Sequence, residues 1–165
     1  MAGRTRPRYA HRQGGGYTRL TFVLALGVLL VVYAVDPSGA PALLVAAPFL
    51  LLAFAAFDGL RIHVTDDELA WRFGHLGFPR GRIALADVAA AEVTRTTFWE
   101  GWGIRLTRRG WLYNVSGFDA VLVRRRNGKT FLLGSDEPRR LKAAIDAAIQ
   151  AAPGAPPPAT ANRHA

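Results

Sequence analysis

Two clusters of basic side chains carry the strongest chemical signal in this sequence. They comprise Arg108, Arg109, Arg124, Arg125, Arg126 and Lys129. On a strand, Arg124 and Arg126 would share one face, because side chains alternate along the backbone. Each Lys or Arg near an anionic bilayer contributes about 1 kcal/mol to the free energy of binding. The clusters therefore favour a site for anionic headgroups, with the alternative that basic residues only set the topology of a membrane protein.

A second candidate site is the aromatic segment Phe98-Trp99-Glu100-Gly101-Trp102. Tryptophan is favoured at the membrane–water interface, so Trp99 and Trp102 are candidates for a loop that contacts the bilayer surface. The alternative is that Trp102 anchors the core of a sheet.

Signatures of catalysis and of metal binding do not occur in the sequence. The chain has no cysteine, which excludes disulfides, thiolate zinc sites and thiol catalysis. Neither a Gly-x-x-x-x-Gly-Lys phosphate loop nor a His-Glu-x-x-His motif is found. His63 and His75 could meet in the fold, but a metal site requires three or four ligands. We interpret them as surface residues and expect no enzyme activity, no metal and no cofactor.

Two uncharged segments, residues 20–35 and 40–57, predict a transmembrane helical hairpin over residues 20–59. As helices they would span roughly 24 and 27 Å, against a hydrocarbon core of about 30 Å. The turn Asp36-Pro37-Ser38-Gly39 joins them. A signal peptide for the first segment, or core helices of a soluble protein for both, are the alternatives.

Flanking charge predicts the orientation of this hairpin. Residues 1–19, expected to be a flexible basic tail, carry five arginines and no acid, whereas the connecting turn carries one Asp and no base. Residues 61–150 hold 13 Arg and two Lys against ten acids. Segments next to membrane helices that are rich in Lys and Arg remain on the cytoplasmic side. Both termini are therefore expected in the cytoplasm, and the protein in the cytoplasmic membrane. Residues 151–165 are rich in Pro and Ala and are expected to be a disordered tail.

Residues 60–150 are predicted to form an α+β domain on the cytoplasmic side. Alternation at Leu60, Ile62 and Val64 indicates a half-buried strand, and similar patterns give about seven strands in all. Asn127-Gly128 is a strong hairpin signal. The last segment carries an apolar stripe at helical spacing, formed by Leu141, Ala144, Ile145, Ala148 and Ile149, and predicts an amphipathic helix on the sheet.

Several glycine- and tryptophan-containing motifs lie within this domain. They are Gly101-Trp102-Gly103-Ile104-Arg105, Gly110-Trp111, Val115-Ser116-Gly117, Asn127-Gly128-Lys129 and Gly134-Ser135-Asp136-Glu137-Pro138 with Leu141. With the hairpin, they resemble the bacterial pleckstrin-homology-like membrane proteins over roughly residues 20–150. The resemblance implies a bent antiparallel sheet or split barrel capped by the C-terminal helix. It implies no catalytic residue, because this superfold hosts many roles.

These observations predict a non-enzymatic, membrane-anchored protein-interaction module, with a sensor of anionic lipid headgroups as the alternative. The expected partners are the bilayer and an unidentified membrane or cytoplasmic protein. Nucleic acid is not expected, since the bases are dispersed over a chain of net charge +9 and no recognition helix stands out. The uncharged helices argue against transport. Small residues four positions apart permit close helix–helix contacts, so a homo-oligomer is an open alternative. The two pairs are Ala42 with Ala46 and Ala55 with Gly59.

Overall fold

Two long apolar helices extend from a β-rich domain in the computed structural model, which describes residues 7–151. Helix α1 spans Gly16–Val35 and helix α2 spans Ala40–Phe57, with a 3-10 turn at Pro37–Gly39 between them. Both helices are long and apolar enough to cross a membrane. None of the residues in either helix is buried, which does not fit the core helices of a soluble protein.

The two helices differ in how well their bounds were predicted. Helix α2 has the predicted limits, and Pro48 lies inside it. Helix α1 begins at Gly16, four residues before the predicted start, so Arg19 lies in its first turn. The rings of Phe22 and Phe54 pack together with their centroids 4.7 Å apart, and so join the two helices near the domain.

Nine strands, one further α-helix and two short 3-10 helices, Leu85–Asp87 and Phe98–Glu100, make up the domain in the described part of the chain, where about seven strands were predicted. The strands are β1 Tyr9–Gln13, β2 Leu60–Val64, β3 Glu68–Phe73, β4 Arg80–Ala84, β5 Val88–Arg95, β6 Gly103–Thr107, β7 Gly110–Asn114, β8 Asp119–Arg125 and β9 Thr130–Gly134. They form two sheets, ordered β1-β2-β3-β4 and β5-β8-β9-β7-β6. All pairings are antiparallel except β7 with β9. Helix α3 spans Pro138–Ala151.

Strand β1 corrects the prediction of a flexible tail over residues 1–19. Tyr9 to Gln13 pair antiparallel with β2, and both end residues are buried. The tail prediction was wrong here because the segment Tyr-Ala-His-Arg-Gln lacks β-branched residues and has no alternation of apolar with polar side chains, so its strand pattern is weak. Residues 1–6 and the predicted tail after Ala151 lie outside the described residues.

The hydrophobic core lies between the two sheets and is closed by α3. Leu60, Ile62 and Val64 are buried, as their alternation predicts. From α3, Leu141, Ile145 and Ala148 are buried against the sheets. The amphipathic C-terminal helix is therefore confirmed.

Candidate functional site

The helices and the domain meet at a buried carboxylate, Asp58, between α2 and β2. Its side chain is 3% exposed. Arg19 donates from Nε to Oδ1 at 2.8 Å and from Nη2 to Oδ2 at 3.2 Å, and His75 Nε2 lies 3.0 Å from Oδ2. Arg12 Nη2 donates to the Asp58 carbonyl oxygen at 3.1 Å. Asp58 therefore connects β1, both helices and the loop after β3.

The surroundings of Asp58 favour its ionised form. The hydrogen bond from Arg19 lowers the pKa of Asp58 below its ordinary value, with a smaller contribution from His75, and together they outweigh burial, which raises it. A paired, hydrogen-bonded carboxylate is stable in such a position. Sequence reasoning missed this site. The only available signal was a lone Asp at the end of an apolar segment, followed by Gly59.

The β3–β4 loop, residues 74–79, packs directly on the end of α2. The backbone N–H of His75 donates to the carbonyl oxygen of Ala55 at 2.7 Å. Gly74 has φ +55°, and a Cβ at this position would lie 2.2 Å from the same oxygen. Only glycine fits there. The loop also carries two exposed apolar side chains, Leu76 and Phe78.

A chain of aromatic rings forms a second contact between α1 and the domain. Trp102 stacks on Tyr17 with the ring centroids 4.6 Å apart, and its Nε1 donates to the Gly117 carbonyl oxygen at 3.0 Å. Phe98 meets Trp102 edge-on at 6.3 Å. Trp99 is 88% exposed. Of the two predicted interface tryptophans, Trp102 thus lies against α1, outside the core cluster, and Trp99 projects from the domain.

An apolar cavity of about 290 Å³ lies between the helix ends and the second sheet. Its lining includes Tyr17, Phe22, Phe54, Phe57, Trp102 and Val115. Such a lining suits a hydrocarbon group better than a charged ligand. We call this side of the domain, where the helices, the cavity and Asp58 lie, the near end.

The predicted basic clusters lie at the other ends of their strands. Gly103 and Asn114 line the cavity and pair with each other, so the turn of Arg108 and Arg109 is at the opposite end of β6 and β7. Arg124 pairs with Thr130 next to the β8–β9 turn, at the opposite end of that ladder from Gly134. Gly134 in turn packs against Asn114. We call this side the far end.

Members of the basic clusters have unequal surroundings. Arg109 Nη2 lies 2.9 Å from Glu100 Oε2, and Nη1 donates to Thr94 Oγ1 at 2.9 Å, so this guanidinium is occupied within the domain. Arg126 donates from Nε to the Ala86 carbonyl oxygen at 2.7 Å, and Arg125 is partly buried. The remaining three, Arg108, Arg124 and Lys129, are exposed. The fold therefore gives the six cations different surroundings: Arg109 is paired with Glu100, whereas Arg108, Arg124 and Lys129 are exposed.

The carboxylate of Glu100 shows how firmly Arg109 is held. Burial favours its protonated form, but the backbone N–H of Thr97 and the guanidinium of Arg109 lower the pKa of Glu100 below its ordinary value. Thr97 and Glu100 also form a capping box for the short 3-10 helix that carries Phe98 and Trp99. Arg109 thus supports the aromatic segment rather than offering a free charge.

The two histidines considered as metal ligands, His63 and His75, lie in different parts of the domain. His75 contacts Asp58, whereas His63 lies on the outer face of the first sheet. Within residues 7–151 no group of three or more His, Asp or Glu side chains could hold a metal ion.

Comparison with known protein families, characterised proteins and solved structures finds no match to this chain. The resemblance to pleckstrin-homology-like proteins therefore stays a prediction from the sequence motifs. What the structure establishes is an α+β chain with two long apolar helices, two sheets and a C-terminal helix.

Proposed function

We propose that this protein is a membrane-anchored, non-enzymatic interaction module. In this proposal α1 and α2 cross the cytoplasmic membrane, both termini face the cytoplasm, and the domain lies at the inner surface. The observation that carries the proposal is the junction at Asp58. It joins residues that precede, end and follow the hairpin, so the domain is held on the helix ends instead of hanging on a linker.

Strand β1 supports the same conclusion. Gln13 Nε2 donates to the Ser116 carbonyl oxygen at 2.7 Å, and Ser116 Oγ donates to the Gly14 carbonyl oxygen at 2.9 Å. The segment before α1 is thus tied to both sheets. A domain held in one orientation presents the same surface to every partner, which lowers the ordering cost of binding.

The surface that favours a protein partner is the β6–β7 edge of the second sheet. Leu106 and Trp111 pair directly across the two strands, and Leu106 is 71% exposed while Trp111 is half exposed. Strand β6 is an edge strand with free backbone groups. An apolar pair beside such an edge is typical of a docking surface for an extended segment of another protein.

Site-specific photocross-linking in membranes tests this proposal. A photoreactive residue at position 106 of the full chain is expected to give one discrete protein adduct. The same residue at Ala143, exposed on α3, serves as the matched control and is expected to give none. Equal labelling at both positions, or no adduct at 106, contradicts a partner at this edge.

The C-terminal helix packed on two largely antiparallel sheets is compatible with a pleckstrin-homology-like domain, and we retain that identity as part of the proposal. The parallel pairing of β7 with β9 departs from the antiparallel sheet that the resemblance implies. Headgroup sensing by the sequence clusters is the weaker alternative. Arg109 is already paired with Glu100, and the turns that carry the clusters lie at the far end.

A further inference from the structure

Four arginines form a continuous row across the first sheet. Arg12 pairs with Arg61, Arg61 with Arg72, and Arg72 with Arg80, one from each of the four strands. The neighbouring row, Gln13, Leu60 and Phe73, faces the core and directly adjoins the helix ends. Because successive side chains alternate, the arginine row points outward. It is the first outward-facing row beneath α1 and α2.

This arrangement is electrostatically unfavourable for the protein alone. Like charges directly opposite each other on neighbouring strands destabilise a sheet. Arg12 is partly compensated by Asp58. In the described residues, Arg61, Arg72 and Arg80 form no ion pair within 4.0 Å. These three uncompensated cations are explained if anionic groups neutralise them in the protein's normal surroundings.

The acidic residues of the same sheet lie at the opposite end. Asp66 and Asp67 form the β2–β3 turn, and Glu68 begins β3. Asp66 is already paired with Arg8. The sheet is thus polarised, with positive charge beneath the helices and negative charge away from them.

A broad depression of about 920 Å³ lies on this face beside the row. Arg72, Arg80, Arg82 and His63 line it together with one carboxylate, Glu68. Burial lowers the pKa of His63 below its ordinary value, and the positive charges of Arg72 and Arg61 add to this shift. Phosphate oxygens are the acceptors that guanidinium groups bind best.

The β3–β4 loop adds an apolar element next to the same row. Arg72 and Arg80 flank the loop, and Phe78 at its tip is 68% exposed. The backbone contact of His75 to Ala55 fixes the loop at the level of the last turn of α2. If α2 lies in the bilayer, Leu76 and Phe78 reach the interfacial region, with the arginines at headgroup depth. Such a combination of cations and apolar side chains is typical of peripheral membrane contact.

We infer that the arginine row, together with Arg82 and the β3–β4 loop, binds the phosphates of anionic lipid headgroups in the membrane that holds the hairpin. The row consists of Arg12, Arg61, Arg72 and Arg80. This inference rests on the proposed membrane anchoring and names the ligand that the near end of the domain contacts. Arg12 is shared with Asp58, so a bound headgroup and the helix–domain junction involve one common side chain.

The test uses the full chain in phosphatidylcholine nanodiscs, because strand β1 would be lost from an isolated fragment starting at residue 60. Dansyl-phosphatidylglycerol is titrated in, and energy transfer from the native tryptophans reports binding. The test variant is Arg61→Gln/Arg72→Gln/Arg80→Gln. The matched control, Arg108→Gln/Arg124→Gln/Lys129→Gln, removes the same charge at exposed far-end positions. We expect the affinity for dansyl-phosphatidylglycerol to fall about fivefold for each near-end arginine removed. For the control variant the total loss of affinity should be less than about threefold.

A third variant, Arg61→Lys/Arg72→Lys/Arg80→Lys, keeps the charge and is expected to retain most of the binding, which separates lost attraction from lost folding. Equal loss in the test and control variants overturns the assignment. So does inorganic pyrophosphate binding to the row as tightly in nanodiscs of phosphatidylcholine alone, because the ligand is then a soluble phosphate. Entry into nanodiscs without preference for phosphatidylglycerol overturns this inference alone, whereas failure to enter them overturns the membrane anchoring as well.

Discussion

The near and far ends of the domain contain similar residues but use them differently. At the near end, Asp58 is buried and accepts bonds from two arginines and a histidine. Three arginines of the cross-strand row, Arg61, Arg72 and Arg80, form no ion pair within residues 7–151. At the far end, Arg126 bonds a backbone carbonyl and Arg124 is simply exposed. An arginine side chain therefore connects elements of the fold, faces solvent or remains free for a ligand, depending on the register of its strand.

Charge clusters in the sequence and charge clusters in space are therefore separate properties. Arg124, Arg125 and Arg126 are consecutive, yet alternation sends their side chains to different surroundings. Arg12, Arg61, Arg72 and Arg80 are scattered along the chain, yet pairing aligns them. A surface that binds several phosphates requires the second kind of cluster.

The sharpest way to separate the two ends is a matched pair of glycine substitutions. Gly74→Ala and Gly128→Ala both place a side chain at positive φ, at +55° and +81°. At Gly128 the added Cβ meets no atom within 4 Å, whereas at Gly74 it would meet Ala55. We expect about 1 kcal/mol of destabilisation for the far-end change and about 3 kcal/mol for the near-end change. Thermal unfolding in nanodiscs measures both changes in stability. Equal losses of stability would mean that the loop does not pack tightly on α2.

Removal of the junction carboxylate is expected to have the next largest effect. Asp58→Asn leaves Arg19 and His75 without their anion and should lower the free energy of unfolding by about 2 kcal/mol, less than for a wholly buried pair because Arg19 is partly exposed. Asp67→Asn, an exposed far-end acid, should change it by less than about 0.5 kcal/mol. Chemical denaturation of both variants compares them. If Asp67→Asn proves as costly as Asp58→Asn, the junction has no special role.

The pH dependence of the junction follows from the same carboxylate. Since the pKa of Asp58 is lowered in the folded protein, its contribution is present above the ordinary value of 3.8 and is lost as the pH falls below it. The wild-type protein should therefore lose stability on acidification below about pH 4 more steeply than Asp58→Asn. Unfolding midpoints at pH 7 and pH 3 measure this difference, and parallel profiles would contradict it.

The smallest expected effect is on the titration of His63. Its pKa is lowered in the folded domain, so protonation favours the unfolded chain, and stability should fall as the pH drops below the ordinary value of 6.5. Phosphates bound beside Arg61, Arg72 and Arg82 would offset the positive field, while Glu68 is present in either case. We expect the pKa of His63, measured by NMR, to be higher in phosphatidylglycerol nanodiscs than in phosphatidylcholine nanodiscs. An unchanged pKa argues against phosphates at the row.

The elements that depend on local periodicity could be predicted from the sequence. Helix α2 and the buried stripe of α3 follow from uninterrupted apolar content and helical spacing. Strand β1 could not, because its partner β2 lies beyond the entire hairpin and its own pattern is weak. The arginine row and the Asp58 junction depend on register and on tertiary contact, which one sequence does not specify. The bilayer contact of Trp99 and Trp102 stays a prediction, and the stacking of Trp102 on Tyr17 is a tertiary contact that the sequence does not specify.

In the proposed function the near end faces the bilayer and the far end faces the cytoplasm. Since the chain contains no cysteine, single cysteines can be placed without background. Spin labels at Phe78→Cys and Asn127→Cys, in the full chain in proteoliposomes, report depth through collision with oxygen and with a water-soluble nickel chelate. We expect the label at position 78 at the interface, accessible to oxygen, and the label at position 127 in bulk water. Both labels in bulk water, or the one at 127 closer to the bilayer, would contradict the account.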